Sequence, residues 1–192
     1  PLTRETFPLR TAATVSGEQR EGWYTGDATV TLHVYGNSAQ VSSTDYSLDG
    51  GASWNRYAGP FVLGDSGTHV VKFRSTDRSG RHEPEQSTTV RIDKLPPATQ
   101  PQVSAVQGEA GWYRSPATGT LNVYDAHSGV ARTDVALTVL ASAYGLQSFD
   151  FAPYTGPITL DEGKFRLRFR SVDAAGNSEP VQAVELNVDR TA

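Results

Sequence analysis

The 192-residue chain contains neither cysteine nor methionine. The first absence removes disulfides, thiolate metal ligands and a cysteine nucleophile in one step. It assigns no compartment, because secreted domains lean on disulfides mainly where their cores are too small. Without methionine, residue 1 is not a natural start, and the sequence reads as an excised or processed stretch of a longer chain. No apolar run approaches the ~20 residues of a membrane span. No signal peptide is visible, which in a processed stretch carries no information. Positive charge is also scarce: 17 Lys and Arg face 21 Asp and Glu, for a net charge of −4. Non-specific nucleic-acid binding needs a concentrated positive field, so no nucleic-acid partner is expected. Apolar residues make up 37% of the chain, enough for a folded core rather than disorder.

What is present is organised by an internal repeat. Gly22-Trp23-Tyr24 returns 89 residues later as Gly111-Trp112-Tyr113. The same offset carries Val34-Tyr35 onto Val123-Tyr124, Val41 onto Val130, Thr44-Asp45 onto Thr133-Asp134 and Leu48 onto Leu137. Tyr57, Gly59 and Pro60 then match Tyr154, Gly156 and Pro157 at 97. The second copy therefore holds about eight extra residues between Leu137 and Tyr154. Beyond them, at 96, Phe73-Arg74-Ser75 returns as Phe169-Arg170-Ser171, Asp77 as Asp173, Gly80 as Gly176, Glu83-Pro84 as Glu179-Pro180 and Asp93 as Asp189. The chain is two copies of one unit, here divided as residues 1–95 and 96–192. The join lies at Lys94-Leu95-Pro96-Pro97-Ala98-Thr99, where paired prolines predict a short, stiff, extended linker. Pro1 to Arg10 has no counterpart before the second copy and reads as an incoming linker or an extra edge strand.

Each copy has the period-two alternation of strands. Val30, Leu32 and Val34 alternate with Thr29, Thr31 and His33; Leu121 and Val123 do the same in the second copy. Tyr46 and Leu48 predict the next inward face, answered by Val135 and Leu137. Asp49-Gly50-Gly51 supplies residues that tolerate positive φ and predicts a hairpin turn. Phe165, Leu167 and Phe169 alternate with Arg166, Arg168 and Arg170, as Val71 and Phe73 do with Lys72 and Arg74. The last strands show Val90 and Ile92, then Val184, Leu186 and Val188, on one face. Between these final strands Asp77-Arg78-Ser79-Gly80 and Asp173-Ala174-Ala175-Gly176-Asn177 predict Asp-capped turns. No window keeps a helical period. The fold class is all-β: two tandem immunoglobulin-like antiparallel β-sandwiches.

The motifs together resemble the bacterial immunoglobulin-like, fibronectin-III-like repeats of secreted multi-modular and cell-surface proteins. The residues that carry the resemblance are Gly-Trp-Tyr, Tyr46-Ser47-Leu48-Asp49-Gly50-Gly51, the Tyr-x-Gly-Pro of both copies, and Arg170-Ser171-Val172-Asp173-Ala174-Ala175-Gly176-Asn177-Ser178-Glu179-Pro180. It covers about Gly22 to Asp93 and Gly111 to Asp189. It implies a spacing, stiffening or adhesive role and brings no catalytic residues. Two departures stand out. The first copy has Arg81-His82 where the pattern has Asn-x, and the second replaces Asp49-Gly50-Gly51 with an excursion over 138–153. An irregular loop on a rigid scaffold is where binding tends to sit.

The residues that could carry chemistry are few. His33, His69, His82 and His127 have no metal-ligand spacing. His33 is expected to point outward and His69, aligned with Phe165, to lie at a core edge. No nucleophile elbow, phosphate loop or dinucleotide fingerprint is present. Asp161-Glu162 is a turn pair. Calcium has candidate oxygens in Asp77, Asp93, Asp125, Asp173 and Asp189, but no dense cluster of the kind a hard cation needs. No metal site is therefore assigned, and no cofactor is expected, calcium being the alternative left open. The stripe Arg166, Arg168, Arg170 is expected to pair across strands with Glu185 and Asp189. Tyr57, Tyr154, Trp23 and Trp112 recur and are read as structural. Trp54, Tyr144 and Phe149 have no repeated counterpart in this reading, and are the candidate binding residues because exposed aromatics stack on sugar rings or anchor protein partners.

The sequence thus predicts a non-catalytic module pair of a secreted or cell-surface bacterial protein that positions or stiffens neighbouring domains. The alternative is a carbohydrate- or surface-polymer-binding adhesion module using the hairpin aromatics. The expected partners are neighbouring domains of a larger chain and, in the alternative, a glycan or cell-surface polymer; no membrane insertion is expected.

Overall fold

The computed structural model describes residues 9–141 and 147–191. The chain divides into two compact units, Pro1–Lys94 and Leu95–Ala192. The first runs through β1 (Arg10–Ser16), β2 (Gln19–Arg20), β3 (Trp23–Tyr24), β4 (Ala28–Tyr35), β5 (Val41–Ser47), β6 (Asn55–Arg56), β7 (Phe61–Leu63), β8 (Gly67–Asp77) and β9 (Gln86–Ile92). A three-stranded sheet in the order β1-β4-β7 faces a larger one in the order β2-β3-β9-β8-β5-β6. The second unit repeats the plan with β10 (Ala98–Ser104), β11 (Trp112–Tyr113), β12 (Ala117–Tyr124), β13 (Val130–Ala141), β14 (Gln147–Ser148), β15 (Ala152–Pro153), β16 (Ile158–Leu160), β17 (Gly163–Asp173) and β18 (Gln182–Val188). Its sheets are β10-β12-β16 and β11-β18-β17-β13-β14, with β15 also on β13.

The alternating residues meet between the sheets. Val30, Leu32, Leu63, Val71, Phe73, Val90 and Ile92 are buried in the first unit. Phe165, Leu167, Phe169, Leu186 and Val188 are buried in the second. The two cores trade volume between facing positions. Val30 and Val71 fill the first, whereas Gly119 and Leu167 stand at the matching positions of the second. A Cβ on Gly119 would lie 3.8 Å from the Leu167 side chain. Packing to interior density allows such a swap only when both residues change together.

Three expectations need correction. Leu48 is 50% exposed rather than inward. Strand β5 ends at Ser47, whose hydroxyl donates to Asp49 (2.7 Å) and accepts the Gly51 N–H (2.8 Å), turning the chain before Leu48 reaches the core. Gly50 (φ 77°) and Gly51 (φ 103°) take the left-handed conformations that this turn requires. Ala98 and Thr99 belong to β10 and not to the linker. Arg10 likewise opens β1, the equivalent of β10, so the end of the Pro1 to Arg10 stretch does have a counterpart. Strands β1 and β10 escaped the sequence reading because neither RTAATVS nor ATQPQVS alternates strongly. Pro1 to Pro8 lie outside the described residues.

A polar cluster holds these weak first strands. In the second unit the Thr99 N–H donates to Glu179 Oε2 (3.1 Å) and the Thr99 hydroxyl donates to Glu179 Oε1. The Thr99 hydroxyl also meets Ser171 Oγ (2.7 Å), and Ser171 Oγ meets Thr133 Oγ1 (2.8 Å). Strand β10 of the small sheet is thereby tied to β17 and β13 of the large one. The first unit repeats the cluster with Thr11, Ser75, Thr44 and Glu83: Thr11 N–H to Glu83 Oε2 is 2.8 Å, and Ser75 N–H to Glu83 Oε1 is 2.6 Å. Glu179 is only 5% exposed. A carboxylate so buried is tolerated because donors surround it, and the same donors are stranded if it is removed.

Glu179→Ala is therefore expected to destabilise the second unit by about 2–4 kcal/mol, hydrogen bonds to charged groups being among the stronger ones. Urea denaturation would read it as a fall in midpoint with unchanged slope.

Candidate functional site

Each sandwich presents a face of charged and aromatic side chains on the outside of its large sheet. In the first unit Trp54 precedes β6, and β6 pairs with β5 through Asp45↔Arg56 and Tyr46↔Asn55. This register lays the Trp54 ring over Arg74, with the guanidinium carbon 4.0 Å from the ring centroid. In the second unit β15 pairs with β13 through the equivalent Asp134↔Pro153 and Val135↔Ala152. There Phe151 takes the place of Trp54, 4.7 Å from Arg170 and 5.5 Å from Arg168. Trp54 thus has a repeated counterpart after all. The offset of 97 set by Tyr57 and Tyr154 would have found it if carried back three residues. A cation over an aromatic face is attracted by the ring quadrupole, so each ring is engaged with arginine of its own sheet.

Two of the three candidate binding residues are described, one in each unit. Trp54 lies in the first unit, half-buried and engaged with Arg74. Phe149 lies in the second, 53% exposed, its carbonyl accepting from Arg168 (3.4 Å) and its N–H donating to Leu137 (3.0 Å). Tyr144 lies outside the described residues. The arginine stripe divides between two sides. Arg166 pairs with Glu185 (2.5 Å) as its cross-strand register dictates. Arg168 and Arg170 turn instead to Ser148, Phe151 and Asp134, because Ala183 and not an acid stands opposite Arg168 on β18. Asp189 accepts from the N–H and hydroxyl of Thr191. Exposed pairs of this kind add little stability.

The recurring tyrosines cross the sandwich. Tyr57 accepts the Leu32 N–H on its hydroxyl (3.1 Å), and Tyr154 accepts that of Leu121 (3.2 Å). Each donates its own N–H to the carbonyl of Thr44 or Thr133 (2.8 Å). The histidines are scattered. His33 meets Thr14, His69 meets the Asp65 carbonyl and His82 meets Thr76.

The turn aspartates cap backbone. Asp77 accepts from Ser79 N–H (2.8 Å) and Arg81 N–H (3.0 Å), and Gly80 follows at φ 82°. Asp173 accepts the N–H and side-chain amide of Asn177, both at 2.8 Å. Asp125 accepts from His127 (3.1 Å) and Gly129 (2.7 Å). Carboxylate oxygens of Asp125 and Asp173 lie within 4.8 Å of each other.

A concave site lies elsewhere in the second unit, around β11. Residues Glu109-Ala110-Gly111-Trp112 form a tight turn in which the Trp112 N–H donates to the Glu109 carbonyl (3.0 Å). Ala110 (φ 52°) and Gly111 (φ 80°) both take positive φ, as a two-residue hairpin turn of the right twist demands. Gln107, Glu109, Trp112, Arg114 and Asp189 line a cleft of about 590 Å³ beside it. The Lys164 ammonium sits over the Trp112 ring, 5.1 Å from its centroid. Sequence reading set Trp112 aside because Trp23 repeats it; the differing neighbours of the two tryptophans were the available signal.

No protein-family model and no curated protein matches the chain. Among solved structures it is similar to the fibronectin(III)-like modules of Clostridium thermocellum CbhA, at 15% identity over 94% of this chain and 97% of that one, with a TM-score of 0.37. The D00-D0 domain of intimin aligns at 12% identity over 91% and 99%, with a TM-score of 0.35. Chitinase ChiA74 from Bacillus thuringiensis aligns at 10% identity over 89% of this chain and 28% of its own, with a TM-score of 0.30. The strand pairing of each unit carries the assignment of fold. Both units are immunoglobulin-like, fibronectin-III-like β-sandwiches. No helix among the described residues is long and apolar enough to cross a membrane.

Hydrogen bonds set the acid response of the first unit. Donation from the Ser79 hydroxyl, then from the Arg81 backbone, holds the Asp77 carboxyl well below the usual range; the Ser53 hydroxyl and N–H do the same for Asp49. A folded pKa below the unfolded value of about 3.9 gives stabilisation that is complete above that value. It is lost as pH falls through the folded value. The melting temperature of the first unit is expected to fall as pH drops from about 4 to about 2. Asp77→Asn should flatten that decline, as read by scanning calorimetry across the pH series.

Proposed function

We propose that the chain is a non-catalytic pair of spacer modules, which stiffens and positions neighbouring domains of a secreted or cell-surface bacterial protein and uses no cofactor. One observation carries the reading. The polar residues that recur between the copies are spent inside the scaffold. Thr11 and Thr99, Ser75 and Ser171, and Glu83 and Glu179 tie the sheets together. Tyr57 and Tyr154 cross between them, and Asp77 and Asp173 close the same turn. Selection for a repeated site of chemistry would keep side chains facing a substrate, whereas selection for rigidity keeps them bonded to the backbone. The likeness to modules of larger chains agrees with this reading. The second reading, a surface-polymer-binding module, draws on Phe149, which stands exposed beside Arg168 at the second hairpin.

Mechanical unfolding tests the spacer. Pulled from its ends, the chain is expected to open in two discrete steps, each releasing about 30 nm for some 90 residues at about 3.5 Å per residue. Thr99→Val, which loosens β10, should lower the force of one step and leave the other unchanged. Gradual extension without steps would contradict a stiff spacer, as would a hydrolytic turnover abolished by a point substitution.

A further inference from the structure

We propose that the cleft beside β11 in the second unit binds a neutral sugar ring of a polysaccharide, seated against Trp112. This goes beyond the spacer reading, which assigns the chain no ligand. Almost every recurring polar side chain in the two units is consumed by the scaffold. Around Trp112 stand three polar side chains that do not recur. Within the described residues the side chains of Gln107, Glu109 and Arg114 have no hydrogen-bond partner, yet all three line one cleft with the indole. The cleft volume, about 590 Å³, falls within the range of ligand-binding clefts.

The chemistry of the lining selects the ligand. A pyranose offers an apolar face of C–H groups and a rim of hydroxyls. Trp112, one face of which lies under the Lys164 ammonium, lends the cleft apolar indole surface for the first. The hydroxyls are met by an amide that both donates and accepts (Gln107), a carboxylate that accepts from adjacent hydroxyls (Glu109) and a guanidinium that donates (Arg114). Charge selects further. The lining carries one positive charge, Arg114, and two negative ones, Glu109 and Asp189, and the Lys164 ammonium over the indole offsets the excess, so the cleft favours no anionic ligand.

The turn that presents the tryptophan is fixed. It has two consecutive positive-φ residues, and Gly108 lets the Arg114 side chain lie across it. A Cβ on Gly108 would stand 2.9 Å from Arg114 Cγ and 3.1 Å from the Trp112 carbonyl. The first unit has the same turn, with Glu21 (φ 48°) and Gly22 (φ 81°) ahead of Trp23. The lining side chains differ: Glu18, Arg20 and Thr25 stand where the second unit has Gln107, Glu109 and Arg114. The Thr25 hydroxyl is already bonded to the Glu18 carbonyl (3.5 Å). The scaffold is common to both copies, and the Gln, Glu and Arg that line the cleft belong to the second.

Titration of the full chain, followed by the indole N–H resonances of its three tryptophans, tests the proposal. The probes are the neutral hexasaccharides of cellulose, chitin and xylan, and the anionic hexamer of galacturonic acid. At least one neutral probe is expected to shift the Trp112 resonance saturably, with Kd in the millimolar range or tighter. Glu109→Ala and Arg114→Ala, both at exposed turn positions, should each weaken binding about tenfold or more, while Trp54→Ala leaves it unchanged. The proposal is overturned if no neutral probe moves Trp112 at about 10 mM, if only the anionic hexamer does, or if both turn variants bind as the parent chain does. The pulling experiment reads unfolding force and the titration reads a ligand, so either reading can fail without the other.

Discussion

A carboxylate set between two sheets must be met by hydrogen-bond donors, and this requirement organises both sandwiches, with Glu179 buried and Glu83 half-buried. Immunoglobulin domains of antibodies join their sheets with a disulfide. This chain has no cysteine. Its sheets are joined instead by Glu83 or Glu179, held by the N–H and hydroxyl of a threonine on the first strand and backed by a serine and a second threonine on the large sheet. The arrangement fixes where the first strand lies, which its weakly alternating sequence could not do. It also explains why Glu-Pro recurs with the same spacing from the strand before it.

From that clamp the remaining features follow by position. The tyrosine that reaches from the hairpin to the inner strand adds a second tie between the sheets. With both ties in place, the outer face of the large sheet can vary between copies. It carries Trp54 on Arg74 in the first unit, and Phe151 with Arg168 and Arg170 in the second. The core varies within the same frame, as the paired change from Val30 and Val71 to Gly119 and Leu167 shows.

The strands with strict alternation and the glycine turns were legible in the sequence, because a period of two and a positive φ leave direct marks on residue type. The first strands were not. Their hold comes from a side chain some 80 residues away, Glu179 on Thr99, and no local pattern records that. Leu48 misled because strand ends are set by turn hydrogen bonds, here those of Ser47, rather than by hydrophobic period. The repeat was misread at one aromatic. Trp54 was taken as unrepeated because its counterpart is another residue type, and Trp112 was set aside because it is repeated. What distinguishes Trp112 is its neighbours within residues 107–114, and that they line one cleft with the remote Asp189 is visible only once the chain is folded.

The account stands on the claim that the carboxylate and the threonine act as one unit in each copy. A double-mutant cycle measures this directly, with Thr99→Val and Glu179→Gln in the second unit and Thr11→Val and Glu83→Gln in the first. Stability is read by denaturant unfolding of the full chain. The account predicts coupling of about 1–3 kcal/mol in both copies, as for residues that share one network. Additive effects in either copy would mean that the threonine and the carboxylate act independently, and would contradict it.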